Sequence, residues 1–325
     1  MEKFELEATQ TLLKKNFISE EQFKQITAYR NLNIFSLYSE LRFLLYLSIL
    51  SFTTGIGILI YQNIDSIGHM AILSLLLTVT LICFYFCFKK SNGFKKEETT
   101  FATLLFDYLL LTANILSCTF IGYLQYQYHP FGADYGLATL IPTLIGFFCA
   151  YYFDNKSVLS IAITGLAAFV GLSVSPQALL NNETYATTSL SYSGILLGIA
   201  LVIWTIYSAK INLKKHFNLI FFTFSLHLIS IACITNLFDD YWFVFAILLV
   251  FSAFYFYKIS YKIPSVSVFV FNAIYAFIGF TILIFKTIAF LDLFSFITIL
   301  PPVYFGLSIV LFIKLIKNFN HNTAG

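Results

Sequence analysis

The chain has 325 residues, of which 59% are hydrophobic and only 11% charged, with a formal net charge of +3. Soluble domains carry roughly a quarter charged residues, so a water-soluble fold is excluded: it could not cover its own surface. The apolar runs, such as 73–88 and 243–257, are continuous rather than alternating, which excludes a membrane barrel and leaves an all-α, polytopic transmembrane helical bundle.

Residues 1–40 are polar and charged, with no short apolar stretch near the start. The first span is therefore expected to act as an uncleaved anchor. Ile18-Ser19-Glu20-Glu21-Gln22-Phe23 carries the signature of a helix start. Ser19 can cap the amide of Gln22, Gln22 can reach back to Ser19, and Ile18 and Phe23 can close a hydrophobic staple. Phe23, Ile26 and Tyr29 share one face of that helix, and an earlier helix is expected from Phe4 to Lys15. This amphipathic segment, 1–40, is a candidate contact surface for a protein partner.

Ten spans follow, at 41–62, 69–88, 101–124, 135–153, 157–174, 190–209, 215–237, 241–257, 265–285 and 293–316. The fifth and eighth are the shortest. Together they form one transmembrane domain, 41–316, with a tail at 317–325. Numbering the loops alternately inside and outside, starting inside, gathers Lys89, Lys90, Lys95, Lys96, Lys156, Lys210, Lys214, Lys215, Lys258, Lys262, Lys314 and Lys317 on one face and leaves Lys286 alone on the other. Translocating Lys and Arg is disfavoured, so both termini are expected in the cytoplasm. Asp65, Asp134, Glu183, Asp239 and Asp240 fall outside, and Tyr61, Tyr123, Tyr126, Tyr135, Tyr192, Tyr241 and Trp242 mark the outer boundary. Lys greatly outnumbers Arg, and Phe, Ile and Asn are abundant, a bias associated with AT-rich bacterial genomes; a bacterial inner membrane is the expected location.

Polar residues inside hydrocarbon cost a few kcal/mol each and so mark candidate sites. In the third span Asp107, Asn114, Cys118 and Gln125 recur at angles that nearly coincide at about 100° per residue, making one stripe. With that helix starting at 101, Asp107 would lie roughly 9 Å along it. Two readings stand side by side: a wet path for a proton or cation, and interhelical hydrogen bonding that fixes packing. His227 and Asn272 are further intramembrane polar candidates, with packing as the plainer reading. Lys286 is placed to snorkel. Pro142 and Pro301-Pro302 are expected to kink the fourth and tenth spans. Gly194 and Gly198, like Gly55 and Gly57, are spaced for close helix contact. The five cysteines form neither a disulfide framework nor a zinc set. No catalytic, nucleotide-binding, nucleic-acid-binding or cofactor motif is present, and no metal site is expected; the bilayer is the one certain partner.

Three stretches then stand out in order: Leu12-Leu13-Lys14-Lys15-Asn16-Phe17-Ile18-Ser19-Glu20-Glu21-Gln22; Gly55-Ile56-Gly57-Ile58-Leu59-Ile60-Tyr61-Gln62-Asn63-Ile64-Asp65; and Gln125-Tyr126-Gln127-Tyr128-His129, with Gly132 and Asp134 after it. This order resembles the domain-of-unknown-function 2157 family of bacterial membrane proteins over the first 150 or so residues. Ile64 stands where that family usually has Trp. The resemblance implies no established activity, but it points to Asn63, Asp65, Gln127, Tyr128 and His129 as an outer cluster, with helix capping as the alternative. Two functions from different classes fit: a transporter of a small solute or ion, using the Asp107 stripe, or a non-catalytic scaffold, sensor or assembly partner acting through its N-terminal segment.

Overall fold

The computed structural model describes residues 12–13, 17–31, 38–62, 68–91, 93–99, 104–132, 135–174, 188–239, 241–291 and 300–323. All regular structure among them is helical: α1 (Glu20–Asn31), α2 (Tyr38–Gln62), α3 (His69–Lys90), α4 (Leu104–Tyr128), α5 (Tyr135–Phe153), α6 (Lys156–Val174), α7 (Thr188–Lys210), α8 (Asn218–Thr235), α9 (Trp242–Lys262), α10 (Val266–Phe290) and α11 (Leu300–Thr323). Short 3-10 turns, Lys215–Phe217 and Asn236–Phe238, flank α8. Each expected span corresponds to one of α2–α11. The eight helices α3–α10 are long and apolar enough to cross a membrane, and α2 holds a shorter apolar stretch, Phe43–Leu59. The two spans expected to be shortest are full helices: α6 has 19 residues, and α9 runs to Lys262, more than a turn past its expected end.

The chain divides into two compact units, residues 1–62 and 63–325. In the first, α1 starts as the sequence predicts. The Gln22 amide donates to Ser19 Oγ at 3.2 Å, and the Ser19 amide donates to Gln22 Oε1 at 2.9 Å, so two of the amides left over at a helix start are satisfied reciprocally. Phe23 and Ile26 are half-buried while Glu20, Glu21, Lys24 and Gln25 are exposed. Most of the expected earlier helix, and the side chain of Tyr29, lie outside the described residues. The close-contact role expected of Gly55 and Gly57 is not realised within this unit: a Cβ on either would meet nothing within 4 Å.

The second unit is built from antiparallel hairpins. The most extensive contacts are α5 on α6, α7 on α8, α3 on α4 and α9 on α10. All four hairpins turn at the same lysine-rich end, where α3 finishes in Lys89 and Lys90, α7 in Lys210 and α9 in Lys262. The sorting of each helix into faces follows the 3.6-residue period. In α3 the buried residues are Ile72, Leu73, Leu76, Thr80, Cys83 and Cys87, while Leu75, Leu77, Val79, Leu81 and Ile82 are exposed. In water so large an apolar surface would drive association; in a bilayer it meets lipid tails of matching polarity. A buried cluster joins α7–α10 through Ile195, Phe222, Leu226, Phe245, Leu249 and Val268.

Small residues set the closest approaches. A Cβ on Gly146 of α5 would press on Ala162 of α6 at 3.1 Å, one on Gly165 of α6 would overlap the Thr143 hydroxyl, and one on Gly279 of α10 would overlap Leu249. Pro142 stands inside α5 as expected. Pro301 and Pro302 fall in the first described turn of α11; residues 292–299 before them, where the tenth span was expected to start, lie outside the described residues.

Candidate functional site

On the polar stripe of α4, Asp107, Asn114 and Gln125 each hydrogen-bond to protein groups, and Cys118 is half-buried. Asp107 lies in the first described turn of α4; residues 101–103, where the span was expected to start, lie outside the described residues. Asn155 Nδ2 donates to Asp107 Oδ1 at 3.0 Å. Asn114 is 2% exposed; its Nδ2 donates to the Leu110 carbonyl at 2.9 Å, and its Oδ1 would lie 3.7 Å from a Cβ on Gly146 of α5. Gln125, 1% exposed, spans the turn after α4: Nε2 donates to the Gly132 carbonyl at 2.8 Å, and Oε1 accepts from the Phe131 amide at 3.2 Å. Gln127 is half-buried, whereas Tyr128 and His129 are exposed, with His129 in the left-handed conformation that closes the helix (φ 47°). Asn63 and Asp65 lie outside the described residues. His227 Nδ1 pairs with the Tyr275 hydroxyl at 2.7 Å, joining α8 to α10. Asn272 Nδ2 donates to the Ala253 carbonyl at 2.9 Å, joining α10 to α9. Lys286 Nζ donates to the Leu237 carbonyl at 3.0 Å and lies 4.6 Å from the Trp242 ring centre.

The most concentrated charge lies elsewhere, at the lysine-rich end, and sequence reasoning missed it. The α5–α6 connection is two residues long. Asp154 takes the left-handed conformation (φ 61°), and the Asn155 amide reaches back to the Ala150 carbonyl at 3.1 Å. This is a Schellman closure with Asp, which tolerates left-handed φ, in the position glycine usually fills. Asn155 then starts α6, its Oδ1 accepting from the Ser157 and Val158 amides at 3.0 and 2.9 Å. The α7 end repeats the device: Asn212 is left-handed (φ 54°) and the Leu213 amide bonds Ser208 O at 3.0 Å. Lys214 is left-handed as well (φ 47°), and this turns its side chain back under the hairpins.

An aspartate at the negative end of a helix is unfavourable by itself, so Asp154 needs cations. Lys214 Nζ lies 3.0 Å from Asp154 Oδ2, both side chains being 0% exposed. His216 Nε2 pairs with Asp154 Oδ1, with 12% of its side chain exposed. The Thr99 amide and hydroxyl donate to Asp154 Oδ2 at 2.5 and 3.3 Å. Lys214 also donates to the Glu97 carbonyl at 3.2 Å, its own amide bonds the Lys96 carbonyl at 2.9 Å, and its Nζ lies 5.8 Å from the Phe94 ring. At the rim, Lys156 and Glu98 pair at 2.7 Å, and the Lys156 hydrogen bond holds the Glu98 carboxyl below its ordinary range. Beneath, His216 meets Phe217 edge-on at 4.5 Å, Phe217 meets Tyr151 at 5.4 Å, and the Tyr151 hydroxyl accepts from Trp204 Nε1 at 2.8 Å. Three hairpin ends, from α3–α4, α5–α6 and α7–α8, thus converge on one buried carboxylate.

Asp154 Oδ2 meets Lys214 and both Thr99 groups, Oδ1 meets His216, and the Lys214 side chain is wholly enclosed. All five cysteines are free, and no group of three or more metal-ligating side chains occurs among the described residues.

Fold and site together define a polytopic helical membrane protein. Residues 10–159 match the model of the DUF2157 family, described as a predicted membrane protein, so the resemblance read from the sequence holds over that stretch. The matched segment includes Asp107, Thr99, Asp154 and Asn155, whereas Lys214 and His216 lie beyond it. No curated protein and no solved structure matches the chain.

Proposed function

We propose that the chain is a non-catalytic membrane scaffold or assembly protein of the bacterial inner membrane, with its lysine-rich end in the cytoplasm, rather than a transporter. One observation carries the reading. The polar groups of the α4 stripe, the best sequence candidate for a solute path, are engaged by Asn155 and by local backbone, as groups that fix packing and close turns are. The tie among three hairpin ends supports it, since alternating access requires repeats to rock against each other. The capped helix α1 supplies a contact surface for a protein partner.

The deciding experiment is thiol accessibility at the centre of the stripe. With the native cysteines replaced and Asn114→Cys introduced, a small membrane-impermeant reagent is expected to leave the position unlabelled in intact membranes while an outer-loop control cysteine reacts. Rapid labelling at 114 would mean water reaches mid-membrane, and the transport reading would replace this one. Deleting residues 1–36 is expected to remove a co-purifying partner while the purified bundle keeps its helical circular dichroism. A deletion with no effect on any partner would remove α1 from the proposal.

A further inference from the structure

A groove of about 930 Å³ runs between α11 and the α9–α10 hairpin, lined among others by Phe254, Tyr257, Ala273, Ala276, Phe280 and Leu311. Its walls are almost wholly apolar. Toward the lysine-rich end the lining residue Phe269 stacks on Phe319 at 4.3 Å, and Phe319 meets Tyr261 at 4.8 Å. At the other end the Tyr304 hydroxyl pairs with Thr281 at 2.7 Å, and its ring stacks on Phe277 at 5.7 Å. The lining on α10 extends from Phe269 to Phe280, which is about 16 Å at 1.5 Å per residue. That is roughly half of a hydrocarbon core about 30 Å thick, so the groove serves one leaflet. Over that length its apolar walls offer extended acyl chains a continuous surface.

The charge at the groove's mouth names the headgroup. Lys258 follows the lining residue Tyr257, and its Nζ lies 4.4 Å from the Phe254 ring. Lys314 stands between the lining residues Ile313 and Leu315. Lys262 and Lys317 lie one turn further toward the same end, and all four lysines are exposed. From 241 to 325 the sequence holds a single acid, Asp292, which lies outside the described residues. No carboxylate of the described residues pairs with these four lysines. Basic clusters between helices at the cytoplasmic boundary suit anionic headgroups.

We propose that this groove is a binding site for one anionic phospholipid of the lysine-side leaflet, its acyl chains between α10 and α11 and its phosphate between Lys258 and Lys314. The test is native mass spectrometry of the delipidated full-length protein, titrated with phosphatidylglycerol or with phosphatidylcholine of the same chains. One phosphatidylglycerol per chain is expected to bind at least tenfold tighter than phosphatidylcholine. The double variant Lys258→Gln/Lys314→Gln, which changes only exposed side chains, is expected to abolish that preference. Ala276→Phe, which fills the groove, is expected to weaken both lipids. Equal binding of the two lipids, an unchanged preference in the double variant, or a protein dimer in place of the lipid adduct would each overturn the proposal.

Discussion

Lys214→Met is expected to lower the stability of the bundle by about 3–5 kcal/mol, the usual cost of leaving one partner of a buried ion pair uncompensated. Met fills the space of the lysine stem but strands Asp154, whose carboxylate is fully enclosed and faces the negative end of α5. His216 and Thr99 remain, yet neither replaces a permanent charge. Asp154→Gly is the matching deletion: glycine accepts φ 61° without strain, so the change removes the charge and spares the turn, stranding Lys214 instead. The double variant has no buried charge to strand and is expected to be more stable than the sum of the two single losses by at least about 2 kcal/mol. The measurement is equilibrium unfolding in mixed micelles titrated with sodium dodecyl sulfate, followed by circular dichroism. Strictly additive losses would mean that the three hairpin ends are held by their backbone bonds and aromatic contacts, and that the ion pair adds nothing.

That cluster also shows how far the sequence could be read. Hydrophobic run length gave the helices, because a bilayer imposes a minimum length and little else competes with it. The start of α1 was legible because a capping box is local: Ser19 and Gln22 are three residues apart, and their bonds need no partner from elsewhere. The locations of Lys156, Lys214 and Lys215 were legible too, but only as a bias of sign between faces. What stayed hidden was pairing. Asp154 is the acid of a two-residue turn between two spans, a poor place for an unpaired charge, and Lys214 is 60 positions further on. Only the packing of α5–α6 against α7–α8 joins them. An acid in so tight a turn on the basic face was the available signal. The stripe of α4 shows the opposite limit. Periodicity put Asp107, Asn114 and Gln125 on one face, but not the identity of what they face. Asn155 and the Gly132 carbonyl come from turns, and Gly146 beside Asn114 from a helix whose approach depends on small residues such as Gly146 and Ala162.

The second large effect separates two glycines that look equivalent in sequence. Gly194 and Gly198 are one helical turn apart on α7 and form a small-xxx-small pair against α8. A Cβ on Gly194 would rest 3.7 Å from the Ala232 methyl, an ordinary contact. A Cβ on Gly198 would lie 2.5 Å from Ile229 Cγ1 and 3.3 Å from the Ser225 carbonyl oxygen. The isoleucine can shift only so far, since Ile229 is 8% exposed and belongs to the buried cluster that joins α7–α10, and a backbone carbonyl in mid-helix cannot yield. The Ser225 hydroxyl also donates to the Gly198 carbonyl at 2.9 Å, so pushing α7 from α8 stretches an interhelical bond as well. Gly194→Ala is therefore expected to be neutral or slightly stabilising, since alanine restricts the unfolded chain. Gly198→Ala is expected to cost about 1–3 kcal/mol through overpacking, and Gly198→Leu more. Midpoints in the same micellar unfolding assay decide the matter. Equal losses at the two glycines would mean that α7 and α8 slide freely enough to absorb a methyl group. A loss at 198 alone would show that the α7–α8 hairpin is held at a fixed distance, the condition under which its end can present Lys214 to Asp154.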